Sequence, residues 1–481
     1  RRWPHACAAR AVSSVTSLDA YRALSWIGLA VACTLALCLR HDAGITLDEP
    51  PQMRYGRRIA AWFLSGFADD RAVYGDATLA QYGGLFDALA QLAVHFTPND
   101  PVGTRHAASA LCAVLGLVAT WKMAARMLDQ RAALLAASLL ALTPVWIGHG
   151  LFNPKDIPFA AAAAWAVYAA QCIASARTLP SYRLHAACGV AIGAALGVRS
   201  GGMFLLSYPV LAWLGRAILV SRSEPRPPLR AAGMRLGVCF AAAWVCMLAA
   251  WPWAQVSPLW HPLQGAAFAA RSGWGGVTLF DGSLIPAQQL PRTYLPLWFA
   301  VTLPETYLLA LGCALVLLLR TRRKPWLGRR QLGGALVAAS AFGPLMAAVL
   351  LRPTVYDAQR HFLFIVPPLA ALAGVSLTRF LRERTLSPGL RSVTCGALLG
   401  LGGMIAVDSV RLHPYEYVYF NRLIGGLPGA QARFETEYWG ASYTEGLRWL
   451  AGQLQNRDLS VRVATCNHDQ AVVEFLREHP E

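Results

Sequence analysis

The chain has 481 residues, of which 56% are hydrophobic and 14% charged. That balance is too apolar for a soluble globular domain of this length and marks a polytopic membrane protein. A net charge of +17 would suit a nucleic-acid partner, but the basic residues fall in short clusters between apolar runs rather than on one face, which is the signature of membrane topology and excludes nucleic acid.

The eleven cysteines, among them Cys33, Cys112, Cys188 and Cys239, sit mostly inside apolar segments without C-x-x-C spacing, so neither a disulfide framework nor a metal site is expected. The chain begins Arg1-Arg2-Trp3, without an initiator methionine. Its first apolar run is too long, and too poor in small-residue cleavage sites, for a signal peptide. Runs long enough to cross a bilayer fall near 23–39, 105–125, 131–149, 157–175, 184–199, 202–220, 233–252, 297–320, 331–351, 361–379 and 392–411, which predicts an all-α bundle of about eleven spans. Residues 1–22 form an N-terminal segment on the cytoplasmic side, 23–411 the membrane domain and 412–481 a tail.

Every alternate connection is basic. Arg10 and Arg22, then Lys122, Arg126 and Arg131, then Arg177 and Arg183, then Arg222, Arg226, Arg230 and Arg235, then Arg320 to Arg330, and last Arg379 to Arg391 all thread to the cytoplasmic side. The connections 40–104, 150–156, 253–296 and 352–360, the turn Arg199–Gly202 and the tail go to the opposite face. Within 40–104, Pro50–Phe67 and Gly84–Phe96 carry apolar residues at helical spacing and predict two interfacial helices. The tail predicts a small α/β unit: a helix near 441–455, a strand over Leu459–Ala464 and a helix over Gln470–Glu478. Trp251, Trp253, Trp260, Trp274, Tyr294, Tyr438 and Trp439 are expected as interfacial aromatics, with sugar stacking as the other reading. Gly189, Gly193 and Gly197, and again Gly396 and Gly400, repeat every four residues and predict close helix crossings.

Asp48 and Glu49, in Ile45-Thr-Leu-Asp-Glu-Pro-Pro-Gln-Met-Arg-Tyr-Gly56, follow the first span. There a polar substrate, water and a lipid headgroup can meet; from position alone a solvated acid pair is the other reading. The same threading brings to that face Lys155 and Asp156 in Asn153-Pro-Lys-Asp-Ile-Pro158, Arg199 in Gly197-Val-Arg-Ser-Gly-Gly202, and Arg360-His361 heading the tenth span. Singly each reads as an interfacial anchor. Together, cations opposite carboxylates form a candidate site for an anionic headgroup beside a general base.

These residues carry a resemblance. Thr46-x-Asp48-Glu49 with Tyr55 nearby, Asn153-Pro-x-Asp156, and the Arg360-His361 to Pro367-Pro368 start of a late span resemble the GT-C glycosyltransferases, more narrowly the protein O-mannosyltransferase and lipid A aminoarabinose transferase group. The ending His413-Pro-Tyr-Glu-Tyr-Val-Tyr-Phe-Asn421 through Glu437-Tyr-Trp-Gly440 resembles uncharacterised bacterial members. The resemblance implies a polyprenyl-phosphate-linked sugar donor and inverting transfer to an acceptor hydroxyl on an envelope glycan, lipid or protein, at the extracytoplasmic face of a bacterial inner membrane. It implies Asp48 as the base, with Glu49 beside it as a catalytic candidate that would orient the acceptor, and Arg199, Arg360, His361 and Lys155 as phosphate ligands. Asp156, Tyr55 and Tyr82 would orient the acceptor. No cofactor is required; a divalent cation, if used, would take Glu49 and Asp156 as oxygen ligands. Arg199 departs from the Lys-Gly-Pro-like stretch frequent in relatives. The alternative functional class is a transporter or flippase for a lipid-linked or anionic substrate, which calls for midplane charges and repeated halves; a third is an inactive scaffold.

Overall fold

The computed structural model describes residues 5–218, 228–271, 274–320, 328–454, 462–465, 472–473 and 475–476, with side-chain surroundings from residue 19 onward. Local chemistry sets many helix starts. Asp100, Asp129, Ser181 and Ser387 each stand just before a helix and accept hydrogen bonds from backbone N–H groups of its first turn, which the helix itself leaves unpaired. Pro101 and Pro388 follow two of these caps, where a missing N–H costs nothing.

Among the described residues, eight helices are long and apolar enough to cross a membrane: Asp19–His41, Pro101–Met127, Asp156–Ser175, Ser200–Ile218, Leu229–Leu248, Arg329–Leu351, Arg360–Arg382 and Pro388–Leu412. Two bent pairs bring the number to ten, Gln130–Ala141 with Pro144–Phe152 at 65° and Tyr294–Thr302 with Glu305–Arg320 at 106°. Their breaks fall at Thr143-Pro144 and Leu303-Pro304, where proline drives the preceding residue to extended backbone, ψ 107° at Thr143 and 138° at Leu303. The run expected at 184–199 folds as the 15-residue helix Tyr182–Leu196, about 22 Å long at 1.5 Å per residue, and so stops short of a hydrocarbon core of about 30 Å.

Helix Asp156–Ser175 is the axis of the bundle. Its apolar stretch is 83% buried, against 11% for the peripheral Pro388–Leu412, because Ala160, Ala163, Ala164, Ala166 and Ala170 let neighbouring helices approach closely. Its last carbonyls are met by Arg216, whose Nη1 donates to Ile173 O at 3.1 Å and to Ala176 O at 2.6 Å.

The first glycine repeat is a helix crossing. A Cβ at Gly189 would lie 2.1 Å from Cys239 O, and one at Gly193 2.3 Å from Ala243 O, so helices Tyr182–Leu196 and Leu229–Leu248 meet at their backbones. The second repeat is not: Cβ atoms at Gly396 and Gly400 would meet nothing within 4 Å among the described residues. Gly193→Leu is accordingly expected to cost about 1–3 kcal/mol by overpacking, and Gly400→Leu to leave thermal unfolding in detergent unchanged. Equal melting temperatures for the two variants would remove the crossing from the account of stability.

The two interfacial helices form at Glu49–Leu64 and Leu85–Phe96. They pack together beside the buried ion pair of Asp87 with Arg105. The connection after Leu248 holds a feature that an all-α reading lacks, an antiparallel hairpin of Val277–Phe280 with Ser283–Pro286. Its two-residue turn, Asp281-Gly282, has φ of 48° and 80°, the left-handed pair that this dipeptide favours.

The tail helix forms at Tyr443–Leu454; the expected strand 459–464 and helix 470–478 fall largely outside the described residues. The tail is sewn to the loops. Gly282 N donates to Arg433 O at 2.9 Å, Leu47 N to Trp439 O at 3.0 Å and Ile45 N to the Thr444 hydroxyl at 3.1 Å. Asn421 Nδ2 donates to Ala300 O and Leu303 O, satisfying the carbonyls freed at the Pro304 break. The aromatics therefore serve mainly as internal struts rather than as an interfacial belt. Trp251, fully buried, donates to Ala80 O at 2.8 Å, and Tyr294, Tyr438 and Trp439 lie in packed clusters; Trp260 and Trp274 stay exposed.

Candidate active site

The Thr46-x-x-Glu49 turn divides its two carboxylates. Glu49 folds back: Oε2 accepts from Thr46 N at 2.7 Å and from the Thr46 hydroxyl at 3.0 Å, and Oε1 lies 2.8 Å from His106 Nε2. His106 Nδ1 lies 2.9 Å from Arg40 O. Glu49 is thus a buried clasp between the first loop and helix Pro101–Met127. Asp48, at the start of helix Glu49–Leu64, makes no capping bond with its side chain. Its carboxylate turns the other way, into a cluster of charges.

There Asp48 Oδ2 accepts from Arg360 Nη1 at 2.8 Å, and Oδ1 lies 3.9 Å from Lys155 Nζ. Arg360 also bonds Asp357 at 2.6 Å through Nη2 and lies 3.9 Å from Asp156, while Arg199 Nη2 meets Asp156 Oδ1 at 2.5 Å. Three cations thus alternate with three carboxylates, drawn from four separate stretches of the chain. The Asn153 side chain builds one end of the cluster. Its Oδ1 accepts from the backbone N–H groups of Lys155 and Asp156, and its Nδ2 donates to Asp156 Oδ2 at 3.0 Å, fixing both charged residues where the buried axial helix begins. Lys155 is held further by Gln52, whose amide, oriented by its neighbours, donates to Asp87 and accepts from Lys155 Nζ at 3.0 Å. Lys155 Nζ also stands 5.1 Å from the Tyr82 ring centre.

Arg360 is nearly inaccessible and lies between Trp439, 4.8 Å from its ring centre, and Tyr356 at 5.3 Å. Asp48 keeps 27% of its side chain exposed, the largest share in the cluster. It opens onto a cavity of about 680 Å³, within the roughly 300–1,000 Å³ range of small-molecule pockets. One wall of the cavity is Leu47, Asp48, Tyr356, Asp357 and Arg360, and the other is the tail segment 432–439, with Trp274 and Leu279 between them.

Burial alone would raise the Asp48 carboxyl, but Lys155, Arg360 and Arg199 overcome it and hold the group well below the usual carboxylate range. Two other acids that line the cavity behave oppositely. Burial, with Asp48 and Asp156 close by, pushes Asp357 up to about 6 against the pull of Arg360, and burial with Asp357 nearby pushes Glu435 up to about 7. Each holds its proton to higher pH when folded, so its contribution to stability is complete below its ordinary value, 3.8 or 4.5, and is lost as pH rises through 6 and 7. Asp357→Asn with Glu435→Gln is therefore expected to lose less melting temperature between about pH 5 and pH 8 than the parent chain does. Parallel profiles would remove these two groups from the pH dependence.

Of the nine residues singled out in the sequence, Asp48, Lys155, Asp156, Arg199 and Arg360 come together, and Tyr82 joins them through Lys155. His361 lies beside them, its ring 4.7 Å from that of Tyr356. Two are set apart. Glu49 is spent on its clasp, and Tyr55 is packed with Ile59, Trp62, Ala72, Val73 and Leu79, its buried hydroxyl unpartnered among the described residues. Glu49 and Asp156 also fail to form a shared cation site, since each is satisfied by separate partners. Among the described residues no group of three or more His, Cys, Asp or Glu side chains has metal-site geometry. Asp357, Glu435, Tyr356 and Gln52 carry no sequence signal as site residues; Glu435 stands two residues before the Glu437-Tyr-Trp-Gly440 segment, which is distinctive in itself.

The fold has counterparts among solved structures. It is similar to ArnT from Cupriavidus metallidurans bound to undecaprenyl phosphate, with a TM-score of 0.54 and 14% identity over 94% of this chain and 84% of that one. Within it, residues 99–251 match the family model of dolichyl-phosphate-mannose-protein mannosyltransferase. Also similar are the archaeal oligosaccharyltransferase AglB from Archaeoglobus fulgidus in complex with an inhibitory peptide and a dolichol-phosphate (TM-score 0.47, 13% identity, 94% of this chain, 59% of that one) and the arabinofuranosyltransferase AftD from Mycobacteria (0.46, 17%, 88% and 30%). No curated protein sequence matches the chain.

Proposed function

We propose that this chain is a membrane glycosyltransferase that moves a sugar from a polyprenyl-phosphate donor to an acceptor hydroxyl, at the extracytoplasmic face of a bacterial inner membrane. The observation that carries the reading is Asp48: one carboxylate oxygen bonded to Arg360, the other facing Lys155, at the edge of a 680 Å³ cavity. The undecaprenyl phosphate bound to ArnT supports the class of donor.

In the proposed step the acceptor oxygen attacks the anomeric carbon as the bond from that carbon to the phosphate oxygen breaks. The electron pair leaves with the polyprenyl phosphate, which gains one negative charge, and the acceptor proton passes to Asp48. A single displacement inverts the anomeric centre. Lys155 and Arg360 stabilise the departing phosphate, Arg360 through the paired donors of its guanidinium; Arg199, held on Asp156, adds positive field. In the free chain the same cations quench Asp48 as a base. When the donor phosphate takes over their hydrogen bonds, the carboxylate recovers basicity, so the base is active only with donor in place.

The test is transfer of radiolabelled sugar from a pool of polyprenyl-phosphate sugars in membranes carrying the chain. Labelled product with inverted anomeric configuration is expected. A retained configuration, or movement of intact lipid-linked sugar across the membrane without transfer, would replace this reading by a double displacement or by transport.

A further inference from the structure

A second charged cavity lies at the other end of the bundle. Helix Pro101–Met127 touches the candidate site through Arg105 and His106; Lys122 and Arg126 come about 25 Å further along it at 1.5 Å per residue. There a cavity of about 1010 Å³ is bounded by Lys122, Arg126, Arg177, Arg329 and Arg330. No acidic side chain is among its described lining residues. Arg126 is steered by Ser175, whose hydroxyl it meets at 2.6 Å, and Arg329 donates to Ala176 O and Arg177 O at 2.5 Å. The Ser175 hydroxyl is a neutral acceptor and leaves the charge of Arg126 in place.

The floor of the cavity is aromatic. Lys122 Nζ lies 5.9 Å from the ring centres of Trp121 and Trp165 and 5.7 Å from that of Tyr168. The rings hold an ammonium group in place without neutralising it. The bias of basic residues toward one side of a membrane protein accounts for cations at this end. It does not account for their convergence, from three separate stretches of chain, on one concave space with an apolar floor.

We infer that this cavity binds the phosphate headgroup of an anionic phospholipid from the leaflet opposite the active site. Guanidinium and ammonium groups take the phosphate oxygens, and Trp121, Ala125 and Tyr168 offer an apolar face to the glycerol and upper acyl chains. A basic pocket between transmembrane helices at the cytoplasmic end suits such a headgroup. The inference stands apart from the assignment of Asp48, since the two sites share no residue.

The full chain, reconstituted in nanodiscs of equal phosphatidylglycerol and phosphatidylcholine, is released into native mass spectrometry and the lipid it retains is identified. The parent chain is expected to keep phosphatidylglycerol. Lys122→Gln with Arg177→Gln should keep roughly a hundredfold less, the effect of losing two charge-assisted bonds. Arg384→Gln, an exposed cation outside the cavity, should match the parent, and Lys122→Arg should retain the lipid and so show that the helix end tolerates substitution. Equal retention by the double variant and the parent would overturn the site. An equal loss in the Arg384→Gln control would also do so, by reducing the effect to bulk charge. Binding of inorganic phosphate to the detergent-purified chain, with displacement of phosphatidylglycerol by it, would assign the cavity to a soluble anion instead.

Discussion

Asp48→Asn is expected to lower kcat for sugar transfer by roughly 10²–10⁴-fold, the usual worth of a positioned general base. The amide keeps the size of the side chain and can still accept from Arg360, but it cannot take the acceptor proton. The protein should remain folded, since Arg360 retains Asp357 at 2.6 Å and Asp48 is the most exposed member of the cluster. The donor KM should stay level or fall, because Asn no longer competes with phosphate for Lys155 and Arg360. The check is initial-rate transfer over a range of donor concentrations, with thermal unfolding alongside. Transfer at half the parental rate with an unchanged melting temperature would exclude Asp48 as the base.

Arg360→Ala should damage both activity and stability. The guanidinium is nearly inaccessible and touches Asp48, Asp156 and Asp357. Its removal leaves buried carboxylates without their counter-charge, a change that costs about 3–5 kcal/mol. The two effects are separable. Adding Asp357→Asn to Arg360→Ala removes one of the stranded charges and should recover part of the stability, while transfer stays absent because nothing replaces the paired donors to the leaving phosphate. Arg360→Lys should fold better than Arg360→Ala yet remain slow, since an ammonium lacks the planar fork. If the double variant regained transfer along with stability, the role of Arg360 would be structural only.

Much of this architecture could be read from residue patterns because apolar length and basic loop ends are local properties. The interfacial helices after the first span and the tail helix near 443 emerged close to their expected bounds for the same reason. The bends at Pro144 and Pro304 lie inside hydropathy runs that average over them. The hairpin at 277–286 is too short to show a period of its own; only Asp281-Gly282 points to it. In the site, Asp48, Lys155, Asp156, Arg199 and Arg360 stood out as charges at span ends, where desolvation makes charge costly. Their partition did not. That Glu49 turns to Thr46 and His106 while Asp48 turns to Arg360 depends on a contact between residues 49 and 106, and no short window of sequence contains it. Asp357 and Glu435 gained significance only once the tail folded back over the loop that holds Asp357.

That fold-back bears on the order of synthesis. The loop carrying Asp48 emerges from the ribosome long before the tail does, yet its backbone at Ile45 and Leu47 is pinned by Thr444 and Trp439. The opposite wall of the cavity, 432–439, comes equally late. A nascent chain can therefore have nearly all its spans in the bilayer and still lack an enclosed reaction chamber. On the proposed function, catalytic competence arrives as one late event, before which a half-made chain cannot consume donor lipid.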